Sequence, residues 1–548
     1  MPFQNQFHRA ISCRRALLFQ ACLLALLALL ILQPGCKPRE PRADLVILNG
    51  AEPESLDPAV VTGQADLRAT GALFEGLVRN DPRTGAPIPG LAERWEISPD
   101  GTVYTFFLRT NATWSTGAPI TAADVVYSWL RVMNPTTAGD YASQLFPIKN
   151  AAEFNRGSLT NAALVGVKAL EPGVLRVELR RPTLYFLDLC ACPTMAVVPR
   201  QTIEVFEDRW LLAKPLPVSG PYLLESWRVN DKIRLRKNPL YWDAANTRNN
   251  CVDLLPVGSA VTALDLYLTG AADIVWDKEL APAELLDTLL KRPDFHTFDY
   301  LGVYFFRINV TKKPFDDPRV RRALAMAIDK QRLVEKITTA GEKSASQITP
   351  PIIPHYHPPE GLGRDPEAAR RLLAEAGYPG GKGFPVFTYL FNAAAGGSAK
   401  MHQKIAVELQ QMWERELGLH MELRQVEWKA LLAAQSALDY ELCRSSWVAD
   451  YNDPNTFLDL FLSDNGNNRT GWKNKTYDQL LDQAGLQSNT DAREKLLQKA
   501  ETLLVQEELP IVPLFFYKGI NYYDDTKIQG IYPNVIDQHP INAIRRVR

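Results

Sequence analysis

A chain of 548 residues is too long for one hydrophobic core, so two or more domains or lobes are expected. Hydrophobic residues make up 46% and charged residues 22%, an ordinary globular composition, and a formal net charge of −1 leaves no electrostatic footprint for nucleic acid. The 39 prolines and 32 glycines are spread along the chain, which favours many ordered turns over a disordered tail.

The first predicted element is an address. Arg9, Arg14 and Arg15 precede an apolar run from Ala16 to Leu32, and Gln33-Pro34-Gly35-Cys36 follows. Basic residues, an apolar run and a small residue before the cut make residues 1–35 an export signal. At 17 residues the run is short for a membrane helix. Loss of its three positive charges takes the formal net charge from −1 to −4. Gly35-Cys36 resembles the lipobox of bacterial lipoproteins, although Gln33 stands where that pattern prefers leucine. The resemblance implies a lipid on Cys36 and a tether on the periplasmic or cell-surface side of a bacterial membrane. No second long apolar run exists, which excludes a multi-span membrane protein. Cys190, Cys192, Cys251 and Cys443 leave two alternatives, up to two disulfides with three connectivities or four buried thiols.

After a linker (36–43), Leu45 to Leu48 reads as a first strand, turned at Ser55-Leu56-Asp57-Pro58. Leu67 to Val78 has helical periodicity. Leu91 to Arg109 predicts a hairpin turned at Pro99-Asp100-Gly101, with Val103, Thr105 and Phe107 on its buried face. Thr121 and Asp124 form the pattern of a capping box for a helix buried through Val125, Val126, Trp129 and Leu130.

Farther on, Asp365-Pro366-Glu367 opens a helix closed by Gly377 and Pro379, and Pro385 to Phe391 reads as a strand. His402 to Leu417 is amphipathic through Ile405, Leu409, Met412 and Trp413, and Leu419 to Trp428 alternates again. A strand, a long helix and a strand predict a parallel pair, hence α/β lobes. Leu438 to Leu442 reads as a strand running into Arg444-Ser445-Ser446-Trp447-Val448-Ala449-Asp450-Tyr451, broken at Asp453-Pro454. Leu480 to Leu509 is predicted helical and Ile511 to Tyr517 a buried strand.

These stretches carry a resemblance. Phe74-Glu75-Gly76-Leu77, the hairpin and the capped helix, Pro217 to Tyr222, Asn238 to Asp243, Leu268 to Ile274, Pro318 to Lys330, Trp447 to Pro454 and Asn467-Asn468 follow one another as in the solute-binding proteins of peptide ABC transporters. The chain is therefore similar to the oligopeptide-binding family of extracytoplasmic receptors. That resemblance implies a two-lobed periplasmic-binding-protein-like α/β fold with mixed sheets, a hinge and an extra subdomain. It implies lobe I over 44–75, 200–300 and a return segment 517–548, an accessory subdomain over 76–199, and lobe II over 301–516.

No catalytic constellation is present: there is no Gly-x-Ser-x-Gly, His-Glu-x-x-His, Cys-x-x-Cys or phosphate loop. Gly380-Gly381-Lys382-Gly383 reads as a flexible turn, and His355-Tyr356-His357 lies in a proline-rich stretch with few further metal ligands. A short peptide is a zwitterion: its amine wants a desolvated carboxylate and its carboxylate a cation. The resemblance implies that Asp450 takes the ligand's amine, that Arg444 meets the carboxylate of shorter peptides, and that His402 serves another peptide length. It implies that Trp428 and Trp447 wall side-chain pockets and that Tyr141, like Tyr451 beside Asp450, belongs to the ligand site. Thr62 and Gln435 stand where the oligopeptide receptor has a carboxylate and a second arginine, which implies a different length range.

The expected function is thus a receptor delivering short peptides to an ABC permease: a lipid-anchored monomer, not an enzyme, with no cofactor, metal or nucleic acid. The alternatives are a receptor for another solute (a murein peptide, a signalling peptide, a metal chelate), an exported hydrolase, or a chaperone-like polypeptide binder.

Overall fold

The computed structural model describes residues 40–392, 398–487 and 489–547, so the expected export signal and Cys36 lie outside the described residues. From Asp44 onward the fold is built on one mixed sheet. In spatial order its strands are Met421–Val426, Phe387–Asn392, Leu442–Val448, Phe295–Ile308, Ile511–Tyr523, Ile274–Val275, Leu45–Leu48, Cys251–Leu255, Lys232–Lys237 and Tyr222–Arg228, with Lys343–Ser344 paired to Ile511–Tyr523. The pair expected from the strand–helix–strand pattern is parallel, Phe387 opposite Met421 through Asn392 opposite Val426, with the helix Ser398–Leu417 as its crossover.

Two long strands join the halves of this sheet. Over residues 300–308 and 511–517 these strands, Phe295–Ile308 and Ile511–Tyr523, are buried on both faces and are mostly apolar. At one end Phe295–Asp299 pairs with Lys518–Tyr522; at the other Val303–Arg307 pairs with Ile511–Phe516. The register breaks between Asp299 and Val303, giving the ribbon a place to twist between the lobes. The expected limits at 300/301 and 516/517 fall inside these strands.

Gly519 sits opposite Phe298 there, and a Cβ on it would lie 2.3 Å from the ring. Gly519→Ala is expected to cost ~1–3 kcal/mol through overpacking, read as a lower thermal midpoint; an unchanged midpoint would mean that the ring swings aside freely.

Hydrophobic cores lie on both sides of the crossing. Leu45, Ile47, Trp210, Tyr222 and Trp276 fill the first lobe. In the second, Phe306, Tyr389 and Trp413 cover one sheet face and Phe305, Phe461 and Tyr477 the other. A separate antiparallel sheet, Ala92–Ile97, Val103–Leu108, Val174–Glu178 and Val167–Glu171, packs on the helix Ala122–Met133. That helix starts in the expected capping box, with Asp124 Oδ2 accepting from the Thr121 amide at 2.8 Å.

Several local readings shift. In the hairpin, Tyr104, Phe106 and Leu108 turn inward and Val103, Thr105 and Phe107 outward; the opposite face wins because Tyr104 and Phe106 reach Phe186 and Trp95, while Arg94 covers Phe107. The helix expected from Leu67 spans Gln64–Leu73, and Val78 already begins a strand. Residues 438–441 are not strand: Trp428–Ala437 is a helix whose left-handed exit at Leu438 turns into Leu442–Val448. The long C-terminal helix divides into Lys475–Gly485, Thr490–Thr502 and a wider turn over Leu503–Glu508. Cys190, Cys192, Cys251 and Cys443 are all free thiols.

Candidate functional site

The site grows from the strand Leu442–Val448. Its pairing with Phe295–Ile308 runs from Leu442 opposite Ile308 to Val448 opposite Gly302, which sets Arg444 opposite Phe306, inside the strand rather than at its end. Arg444 is 7% exposed there, and its guanidinium lies 5.1 Å from the centre of the Tyr304 ring and donates to the Tyr517 hydroxyl at 3.3 Å. Its Nε has no hydrogen-bond partner, and among the described residues no carboxylate pairs with it. A buried cation held only by one phenol hydroxyl and a ring face is poised for an anion.

Beyond Val448 the chain leaves the sheet. The Ala449 amide donates to the Leu301 carbonyl at 2.8 Å, and the Asp450 amide to Thr456 Oγ1 at 3.2 Å. The loop is held by Asp453, whose carboxylate takes two bonds from the buried Arg493 at 2.7 and 2.9 Å. Asp450 is thereby presented to Tyr141 of the short helix Asp140–Leu145, whose hydroxyl lies near enough to favour the ionised carboxyl, while the Cys192 thiol sits 3.5 Å from the Asp450 backbone carbonyl. Burial pushes the Asp450 carboxyl up to about 7 against the opposing pull of Tyr141. No lysine, arginine or histidine pairs with it among the described residues. A 420 Å3 cavity adjoins this end, walled in part by Arg68, Glu75, Cys192 and His539.

The other predicted residues occupy distinct places. His402, 2% exposed, lies on the helix Ser398–Leu417 against the Tyr304 ring, with its Nδ1 unpartnered. Burial, then Arg444 and Lys278, push its ring down to about 2, so it stands beside Arg444 uncharged and can donate or accept one hydrogen bond but not supply a cation. Trp447 is half-buried, its Nε1 3.5 Å from Thr456 Oγ1. Trp428 begins the helix Trp428–Ala437 and is 45% exposed. Tyr451 stacks on Tyr185 at 4.5 Å within the core of the accessory sheet, its hydroxyl 3.4 Å from Asp459. Gln435 turns its amide onto the Arg444 carbonyl at 3.0 Å, and Thr62 is exposed. His357 pairs with Glu494 and the Tyr356 hydroxyl with Glu501, which accounts for two members of the proline-flanked triplet.

Sequence reading missed Tyr517, Tyr304 and Lys278. Tyr517 was legible only as part of a buried strand, and Lys278 lies in no patterned stretch. Lys278 opens the turn Lys278–Leu280 behind Ile274–Val275 and sets its ammonium 3.5 Å from the Tyr517 ring centre.

Residues 86–469 match the profile of the bacterial extracellular solute-binding proteins, family 5. The chain is 37% identical over 484 residues to the periplasmic oligopeptide-binding protein OppA of Salmonella typhimurium, covering 86% of this chain and 87% of that one. Among solved structures it is similar to a periplasmic oligopeptide-binding protein of Borrelia burgdorferi (TM-score 0.82, 31% identity, 92% of this chain and 100% of that one). It is also similar to Haemophilus influenzae OppA in complex with RPPGFSPFR (TM-score 0.80, 29% identity, 93% of this chain and 100% of that one).

Proposed function

The chain belongs to the bacterial extracellular solute-binding proteins of family 5, and from that premise we propose that it binds short peptides between its lobes and hands them to an ABC permease. One observation carries the reading: Asp450 and Arg444 are two desolvated charges of opposite sign, six residues apart, each without an ion-pair partner among the described residues. A zwitterion completes both at once. At about 3.3 Å per extended residue the two positions are at most ~20 Å apart, the span of a peptide of up to roughly six residues. Tyr141 orients the Asp450 carboxyl, while His402, Trp428, Trp447 and Tyr451 complete the proposed site. The lobes, 44–75 with 200–300 and 517–548 against 301–516, close over the ligand by twisting at the crossing strands, and the protein catalyses nothing. Calorimetry with alanine peptides of two to six residues tests this: binding of at least one length with micromolar or tighter affinity is expected, and no heat with any length would overturn it.

The same reading places the receptor outside the cytoplasm as a monomer, held by a lipid on Cys36 and free of any cofactor. Cys36→Ser is expected to leave the precursor uncleaved or the protein released into the soluble fraction. Unchanged mass and detergent partitioning would remove the anchor from the account.

A further inference from the structure

One cation near Arg444, Lys278, lies outside the peptide contacts proposed above. An 80 Å3 cavity lies where the lobes meet, lined by His402 and Arg444 from one side of the crossing strands and by Lys278 from the other. Lys278 is positioned by its own lobe: Asp277 caps the turn through the Glu279 amide at 2.9 Å, and the Tyr522 hydroxyl fixes the Leu280 carbonyl at 2.6 Å. Its Nζ lies 3.5 Å from the centre of the Tyr517 ring, while Arg444 donates to the hydroxyl of that same ring at 3.3 Å. Two cations therefore flank one phenol, and Lys278 makes no ion pair among the described residues.

No neighbouring carboxylate pairs with either cation among the described residues. Lys518 pairs with Asp299 at 2.6 Å and Lys400 with Glu284 at 2.8 Å. Two acids line the cavity, Glu342, which accepts from the Ala340 amide at 2.8 Å, and the exposed Glu279, and neither forms an ion pair with Lys278 or Arg444 among the described residues. Like charges brought together in a part-desolvated cavity repel unless an anion sits between them. His402 adds a neutral ring nitrogen with nothing to bond.

We propose that Lys278 is a ligand-binding residue that clamps the carboxylate end of the peptide together with Arg444, one cation from each lobe. The proposal rests on the peptide reading above and deepens it. Because Lys278 and Arg444 lie on opposite sides of the crossing strands, the carboxylate is gripped by both only when the lobes are closed. The terminal carboxylate thereby stabilises the closed form, and a C-terminal amide does not.

The test is calorimetry of the processed protein with tri-, tetra- and penta-alanine, each as free acid and as C-terminal amide. Wild type is expected to favour the acids, and Lys278→Met to lose roughly tenfold in affinity for them with little change for the amides. Lys278→Arg, which keeps the charge, should retain most of the preference. An equal loss on acids and amides in Lys278→Met, or no loss on either, overturns the clamp while leaving a peptide receptor. If wild type binds acids and amides equally, the carboxylate clamp falls and the peptide reading stands; if it binds neither, both fall together.

Discussion

Asp450→Asn is expected to weaken binding of a free-amine peptide by a few hundred-fold or more, about 3–5 kcal/mol. The asparagine keeps the shape and the contact with Tyr141 but removes the charge, leaving the ligand's ammonium desolvated without a partner. N-acetylation of the peptide should cost wild type a similar amount, and it should add little further loss in Asp450→Asn. That non-additivity is the sharp part, because two independent defects would simply sum. If Asp450→Asn binds free and acetylated peptides as wild type does, Asp450 is structural and amine recognition through this loop is wrong.

The second large effect is a pH dependence set by the same carboxyl. In the ligand-free protein, burial raises Asp450 to about 7, so near neutrality it is about half protonated. The ammonium needs the carboxylate form, so binding at pH 7 should release about half a proton, seen as a buffer-dependent heat. Below pH 7 the affinity for free-amine peptides should fall by up to about tenfold per pH unit. Above it the affinity should level off and then fall again as the peptide's own amine loses its proton near ~8. N-acetylated peptides and the Asp450→Asn variant should lack the acid limb. A flat profile for wild type between pH 5.5 and 7.5 would show that Asp450 is already ionised without ligand.

The same shift acts on stability with the opposite sense. A carboxyl whose folded pKa is raised above its unfolded value contributes stability that is complete below about 4 and is lost as the pH rises through about 7. Asp450→Asn should therefore raise the melting temperature of the ligand-free protein more at pH 8 than at pH 5. Binding function is here kept against the interest of the empty fold.

What the sequence determined by itself was local or repeated in composition. The capping box at Thr121 and Asp124, the crossover helix through Trp413, and the first strand at Leu45 each rest on contacts within a few residues or on one periodicity, and each is in the structure. The order of the motif-bearing stretches carried the family and the two-lobed α/β fold. The six-residue interval between Arg444 and Asp450 was equally visible, though it was read as the end of a strand that in fact begins only at Leu442.

What only the tertiary structure decided was the environment of the charges. Which face of the hairpin turns inward depended on partners such as Phe186, about eighty residues away. Whether His402 carries a charge depended first on its burial and then on Arg444 and on Lys278, which stands on the far side of two crossing strands. The raised carboxyl of Asp450 depended on burial beside Tyr141, more than three hundred residues earlier. Desolvation and Coulomb interactions follow distance in space, and periodicity along the chain carries no information about which distant side chains close over a charge.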